Sequence, residues 1–239
     1  MTTLQRTIVL GDVHGCYDEA LDLLEKCAVT KEDRVIFLGD LIDRGPKRWQ
    51  CVELAMKHES ILGNHEDKLL QYRRNRKMEM KPDHAKTWYE LSPKHLDYFE
   101  SLPLFIRIPE SNAVLVHAGV LPDIPIENQL PGTLLHCQNI LPPSIKSYWP
   151  SRSPPDHQFW GNFWKGPERV IFGHTVMNKP LVTEWAVGID TGCVFGHSLT
   201  AVILPSWEIV SVPARAEHFY SRHREIAKYP VMDDVLCYS

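Results

Sequence analysis

A chain of 239 residues, 44% apolar and 23% charged, can bury a sizeable core; it is neither disordered, collagen-like nor a coiled coil. Its net charge of -4 lacks the basic field that nucleic-acid duplexes require, and no run approaches the roughly 18 apolar residues of a membrane span. Six scattered cysteines with no CxxC pair, and a start (Met1 to Arg6) without an apolar leader, point to a reduced, cytoplasmic protein with no membrane partner.

Thr7–Leu10 is a short β-branched run ending in Gly-Asp. Tyr17 to Ala28 carries apolar residues at helical spacing. Arg34–Leu38 predicts a second strand ending in Gly-Asp, about Arg48 to His58 a second helix, and Ser60–Leu62 a strand ending in Gly-Asn. Alternating buried strands and helices predict a parallel α/β sheet. Residues 66–103 are rich in charges and aromatics and predict a helical insert, with helices over Asp67–Met80 and Pro93–Leu102. Ala113–Val116 predicts a strand, and the proline-rich stretch 121–168 long ordered loops with short helices. Four more strands follow: Arg169–Phe172, Trp185–Ile189, Leu199–Leu204 and Glu208–Val212. The tight Pro205-Ser206 connection makes the last two an antiparallel pair. No repeat or linker divides the chain, so the expectation is one domain, 1–239, with the tail 214–239 packed on the body.

Five predicted strands finish in one manner: Gly11-Asp12-Val13-His14, Gly39-Asp40, Gly63-Asn64-His65, His117-Ala118-Gly119 and Gly173-His174. Ligands bind at the carboxyl ends of strands in open α/β sheets, so these residues can share one crevice. Imidazole and carboxylate together suit Mn, Fe, Zn, Co or Ni better than calcium. Asp12 and His14 can hold one divalent ion, and Asn64, His117 and His174 a second. Asp40 can bridge them, since a carboxylate between two cations reduces their repulsion.

These motifs, with Gly39-Asp40-Leu41-Ile42-Asp43-Arg44-Gly45 and Gly63-Asn64-His65-Glu66 in full, resemble the calcineurin-like metallophosphoesterases. Asp43-Arg44-Gly45 narrows the resemblance to the phosphoprotein phosphatase branch in its small bacterial and phage form. The resemblance spans residues 7 to about 212. It implies an α/β fold, a two-sheet metallophosphoesterase sandwich flanked by helices, with two divalent metal ions, commonly Mn, at its edge. It implies that His65 is the general acid, that Asp43 orients and charges it, and that Arg44 clamps substrate phosphate together with Asn64. A second clamp is matched, with one extra residue in the motif, by Arg152 of Trp149-Pro150-Ser151-Arg152.

The implied activity is hydrolysis of phosphomonoesters (phosphoserine or phosphothreonine, with phosphotyrosine or nucleotides as further candidates) by water activated at the metal pair. Its partners are then a phosphoprotein, a phosphate ester or a nucleotide. The alternative is a symmetrical bis(5'-nucleosyl)-tetraphosphatase, an activity that close relatives in the resemblance also include. Intact Asp43-Arg44-Gly45 favours the first, because an alkoxide leaving group needs a proton and a phosphate needs one less. A silent metal-binding scaffold predicts loss of a ligand or of the acid, and none is visible. The basic run Tyr72 to Lys77 reads as a solvated helix face, with a phosphate-receiving rim as the sharper alternative. His84, His95, His136, His157 and His197 read as non-ligands, and Cys16 as an oxidisable thiol at the site's edge.

Overall fold

In the computed structural model, which describes residues 5–144 and 146–220, the alternation of the short strands decides the layers. The strand β1 (Thr7–Leu10) is buried on both faces. Ile8 and Leu10 face one core, which they share with the helices α1 (Tyr17–Lys26) and α2 (Arg48–Ala55); Val9 faces another. This is the period-2 geometry of a strand covered on both sides. Parallel to β1 run β2 (Arg34–Phe37) and β3 (Glu59–Ser60).

After β3 come the helices α3 (Asn64–Arg74), α4 (Pro82–Glu90) and α5 (Pro93–Ser101). The expected single helix over Asp67–Met80 is thus shorter and earlier, and α4 was not anticipated. Pro82 explains the new start: it lacks the N–H that a continuing helix needs, and it suits a first helical turn.

A second sheet is built on β4 (Phe105–Ile108) and β5 (Ala113–Val116). Next come α6 (Pro131–His136) and a small sheet of β6 (Asn139–Ile140), β7 (Ser147–Tyr148) and β8 (Gln158–Phe159), inside the stretch read as loops. Then β9 (Arg169–Phe172), β10 (Leu181–Val182), β11 (Ala186–Gly188), β12 (Ser198–Leu204) and β13 (Glu208–Pro213) complete the chain order.

The main sheets have the orders β13-β12-β1-β2-β3 and β10-β11-β9-β5-β4. They pack face to face through Val9, Ile36 and Val202 of one and Leu115, Ile171 and Val187 of the other. Val114, Val116, Val170 and Phe172 point away from that layer onto Trp160 and Trp164. At about 1.5–3 kcal/mol for each fully buried large apolar side chain, these layers dominate the stability. The architecture is the two-sheet sandwich expected, and β12–β13 is the antiparallel pair expected. Its consequence for function is directional. The parallel strands β1, β2 and β3, and likewise β5 and β9, run the same way, so all five glycine-containing ends reach one edge.

Of the tail, Arg215 and His218 bond Glu19 of α1 at 3.1 and 2.9 Å; residues 221–239 lie outside the described residues. No helix among the described residues is long and apolar enough to cross a membrane. Cys16 is fully buried, and a side-chain hydrogen bond with the free thiol of Cys193 together with burial pushes its thiol well up, so it stays protonated.

Candidate active site

Backbone shape comes first at this edge. His14, Asp40, Asp43, Arg44 and His174 all take left-handed φ angles between 44 and 67°. Such residues are uncommon outside glycine and cost roughly 1–3 kcal/mol each, a strain found mostly at functional sites. Glu66 helps to hold it. Its Oε2 accepts the amides of Asp40 and Gly63 at 2.9 and 3.1 Å, and its Oε1 that of Leu41 at 2.9 Å. The turn after β2 is thereby locked to the start of α3. Burial and the Asp40 charge push the Glu66 carboxyl up to about 8, with the amide donors opposing.

The imidazoles are oriented from behind. His14 Nδ1–H donates to the Ile42 carbonyl at 2.7 Å, and His117 Nδ1–H to the Leu38 carbonyl at 2.8 Å. Each Nε2 therefore presents a lone pair. Asn64 Oδ1 lies 2.8 Å from both His117 Nε2 and His174 Nδ1, and Asp40 Oδ1 is 3.5 Å from His117 Nε2. On the other side Asp40 Oδ2 is 3.3 Å from His14 Nε2 and 3.9 Å from His65 Nε2.

Two clusters of possible ligand atoms meet at Asp40: His14 with Asp40 and His65, and Asp40 with His117 and His174. Asp40 belongs to both. Lone pairs converging in a buried space repel unless a cation lies among them, so this donor set fits a metal pair. Burial lowers the basicity of His14, His117 and His174, keeping them in the neutral form that binds metals. The backbone N–H of His65 donates to Asp40 Oδ1 at 3.0 Å and favours the charged carboxylate. Asp12 stands beside these clusters: its carboxylate accepts the His174 amide at 3.1 Å, and burial and Asp190 hold its carboxyl high.

Asp43 is completely buried, and Oδ2 accepts His65 Nδ1–H at 2.5 Å. It is also shared, which the sequence did not reveal. His84 Nδ1–H donates to the same oxygen at 2.5 Å, and the Thr87 hydroxyl to Oδ1. Both residues come from α4. Asp83 of that helix accepts the Arg44 amide at 2.8 Å. The helical insert thus grips the Asp43-Arg44 turn.

The Arg44 guanidinium donates to His14 Nε2 at 2.6 Å and to His65 Nε2 at 3.1 Å, with its face 5.3 Å from the Phe195 ring centre. It lines a cleft of about 550 Å³ together with Lys68, Lys81, His84, Trp149 and the ligand cluster. Arg152 does not: it is exposed on the turn Pro150–Arg152, and Trp149 fills the cleft wall instead. Two residues of the basic run, Arg73 and Arg76, are spent on the fold. Arg73 pairs with Asp97 at 2.7 Å, and Arg76 lies 4.3 Å over Trp88, which packs edge-on against Tyr72.

A buried di-metal donor set, an oriented imidazole and an arginine at the carboxyl ends of a two-sheet sandwich define a metal-dependent phosphoric ester hydrolase. Residues 5–201 match the calcineurin-like phosphoesterases, and the chain belongs to that family. Among its relatives, the asymmetrical bis(5'-nucleosyl)-tetraphosphatase PrpE of Halalkalibacterium halodurans is 31% identical, over 87% of this chain and 93% of the relative. The protein of the same name from Bacillus subtilis (strain 168) is 30% identical over 91% and 98%. A crystal structure provisionally described as a diadenosine tetraphosphatase superposes with a TM-score of 0.79 at 29% identity, covering 89% of this chain and 95% of that one.

Proposed function

We propose that the chain hydrolyses dinucleoside polyphosphates, cutting a tetraphosphate asymmetrically into a nucleoside triphosphate and a nucleoside monophosphate. One observation carries this reading: Lys68 and Lys81 line the same cleft as Arg44 and the metal ligands. One phosphoryl group needs only the metals and Arg44. Two further ammonium groups suit the additional charges of a polyphosphate. The relatives named above support the same substrate class.

Asp12, His14 and Asp40 would hold one metal and Asp40, Asn64, His117 and His174 the other. Mn suits these donors, as do Fe, Zn, Co and Ni. When bound, such a pair supplies Lewis acidity and eases deprotonation of water. Arg44 leaves the two imidazoles and grips non-bridging phosphate oxygens, for which its planar fork is well shaped. Its departure exposes His65 Nε2, where a proton can be held for the leaving oxygen, while Asp43 fixes the ring through Nδ1.

A second reading, hydrolysis of phosphoserine or phosphothreonine esters, is favoured by the intact Asp43–His65 pair, since expelling an alkoxide needs that proton. Product chromatography on Mn-loaded protein tests both. Diadenosine tetraphosphate should yield ATP and AMP. ADP alone would mean symmetrical cleavage, the other alternative read from the motifs. Phosphate release from phosphopeptides with an untouched dinucleotide would replace the proposal by the second reading.

A further inference from the structure

Beside the catalytic cleft lies a second cavity of about 400 Å³, between α6 and β7. Leu130, Thr133, His136, Gln138, Tyr148 and Trp149 line it, and His136 and Trp149 also line the cleft, so the two spaces share a wall. That wall touches the ligand cluster: the rings of Trp149 and His136 lie 5.3 and 6.0 Å from that of His174.

Two features of this cavity have no use in the fold. Trp149 leaves half of its surface exposed, and Leu130, which lines the same cavity, is 56% exposed. Gln138 is only 1% exposed, yet its side-chain Nε2 has no hydrogen-bond partner among the described residues. Buried polar groups are nearly always paired, and an orphan amide donor calls for an acceptor.

Resting on the dinucleotide reading, we infer that this cavity is the base subsite: one nucleobase of the substrate stacks on Trp149 and accepts a hydrogen bond from the Gln138 side-chain amide. A nucleobase is a planar π system with acceptor atoms on its edge, and glutamine amides pair well with adenine. Indole is a good stacking platform for any base. Because Trp149 and His136 line both spaces, a base in the cavity is one side chain away from the cleft that holds the metal ligands. A phosphoserine or phosphothreonine side chain has no planar group to place there.

The test compares AMP with ribose 5-phosphate, which differs only in lacking the base. Each is titrated by calorimetry into the Mn-loaded wild type, Trp149→Ala, Trp149→Phe and Gln138→Met. The wild type should bind AMP about 10-fold or more tighter than ribose 5-phosphate, the scale of base stacking on an aromatic side chain. Trp149→Ala should reduce that ratio to near one, and Trp149→Phe should retain most of it. Gln138→Met, of similar length but without the donor, should reduce it several-fold; circular dichroism confirms that each variant is folded. Equal binding of the two ligands by wild type, or a ratio unaffected by Trp149→Ala, overturns the base subsite. Dinucleotide cleavage is scored on the same wild-type sample. Cleavage without an AMP preference removes only the subsite, and an AMP preference without cleavage removes only the substrate assignment.

Discussion

Replacing Asp43 by Asn keeps the shape of the side chain and removes its charge. The carboxylate now takes three donors, His65 and His84 on one oxygen and Thr87 on the other. An amide has only one acceptor oxygen. Whichever way it turns, its NH₂ faces either two imidazole N–H groups or the hydroxyl. A hydrogen bond to a charged group contributes about 1.5–3 kcal/mol. If His65 carries a proton to the leaving oxygen, that contribution is felt fully in the transition state. It then corresponds to a loss of roughly 10- to 150-fold in kcat/KM, at 1.4 kcal/mol per decade. The loss should depend on the leaving group. A primary alkyl phosphate should suffer all of it. p-Nitrophenyl phosphate, whose phenolate leaves without a proton, should suffer little, and the dinucleotide, which expels a phosphate, should also suffer little. The assay is steady-state kinetics on the three substrates, with metal content checked in each preparation. Equal losses on alkyl and aryl esters would refute proton delivery through the Asp43–His65 pair and leave Asp43 a purely structural residue of the α4 contact.

The remaining predictions address the metals, the arginine and the close packing of the edge. Chelation followed by dialysis should abolish hydrolysis and added Mn should restore it; full turnover in stripped protein would remove the di-metal reading. Among single ligand changes, Asp40→Asn should lower metal content most, because Asp40 alone belongs to both donor clusters; elemental analysis beside His14→Gln and His174→Gln decides this. Arg44→Ala should weaken inhibition by inorganic phosphate about 10-fold or more, with Arg44→Lys recovering only part because an ammonium cannot grip two oxygens at once; identical inhibition constants would show that Arg44 is no phosphate clamp. Gly63→Ala should disrupt the site, since a Cβ there would meet the Asp40 amide nitrogen at 2.2 Å and its Oδ1 at 2.4 Å. An overpacking cost of about 1–3 kcal/mol predicts a Tm lower by roughly 2–12 °C and loss of bound metal, and a wild-type melting curve with full metal content would contradict it.

Much of the site was legible in the sequence because its ligands sit in short motifs where buried runs end at glycine. A parallel sheet necessarily brings the carboxyl ends of its parallel strands to one edge. Knowing that Asp12, Asp40, Asn64, His117 and His174 each follow such a run therefore predicts their meeting; the buried runs themselves predict a parallel α/β sheet, and the second sheet came only from the family resemblance. Tertiary structure alone decided which atoms face each other. His84 and Thr87 lie 41 and 44 residues from Asp43, and their bonds to it follow from how α4 packs on the turn after β2. No periodicity or local motif encodes that contact. The same holds for Arg44 lying between two imidazoles, for Arg152 standing exposed where a clamp was expected, and for the side-chain Nε2 of Gln138, buried without a partner among the described residues. Strand termini announce themselves through local backbone chemistry, whereas side-chain partnerships between distant elements depend on packing distances that only the folded chain sets.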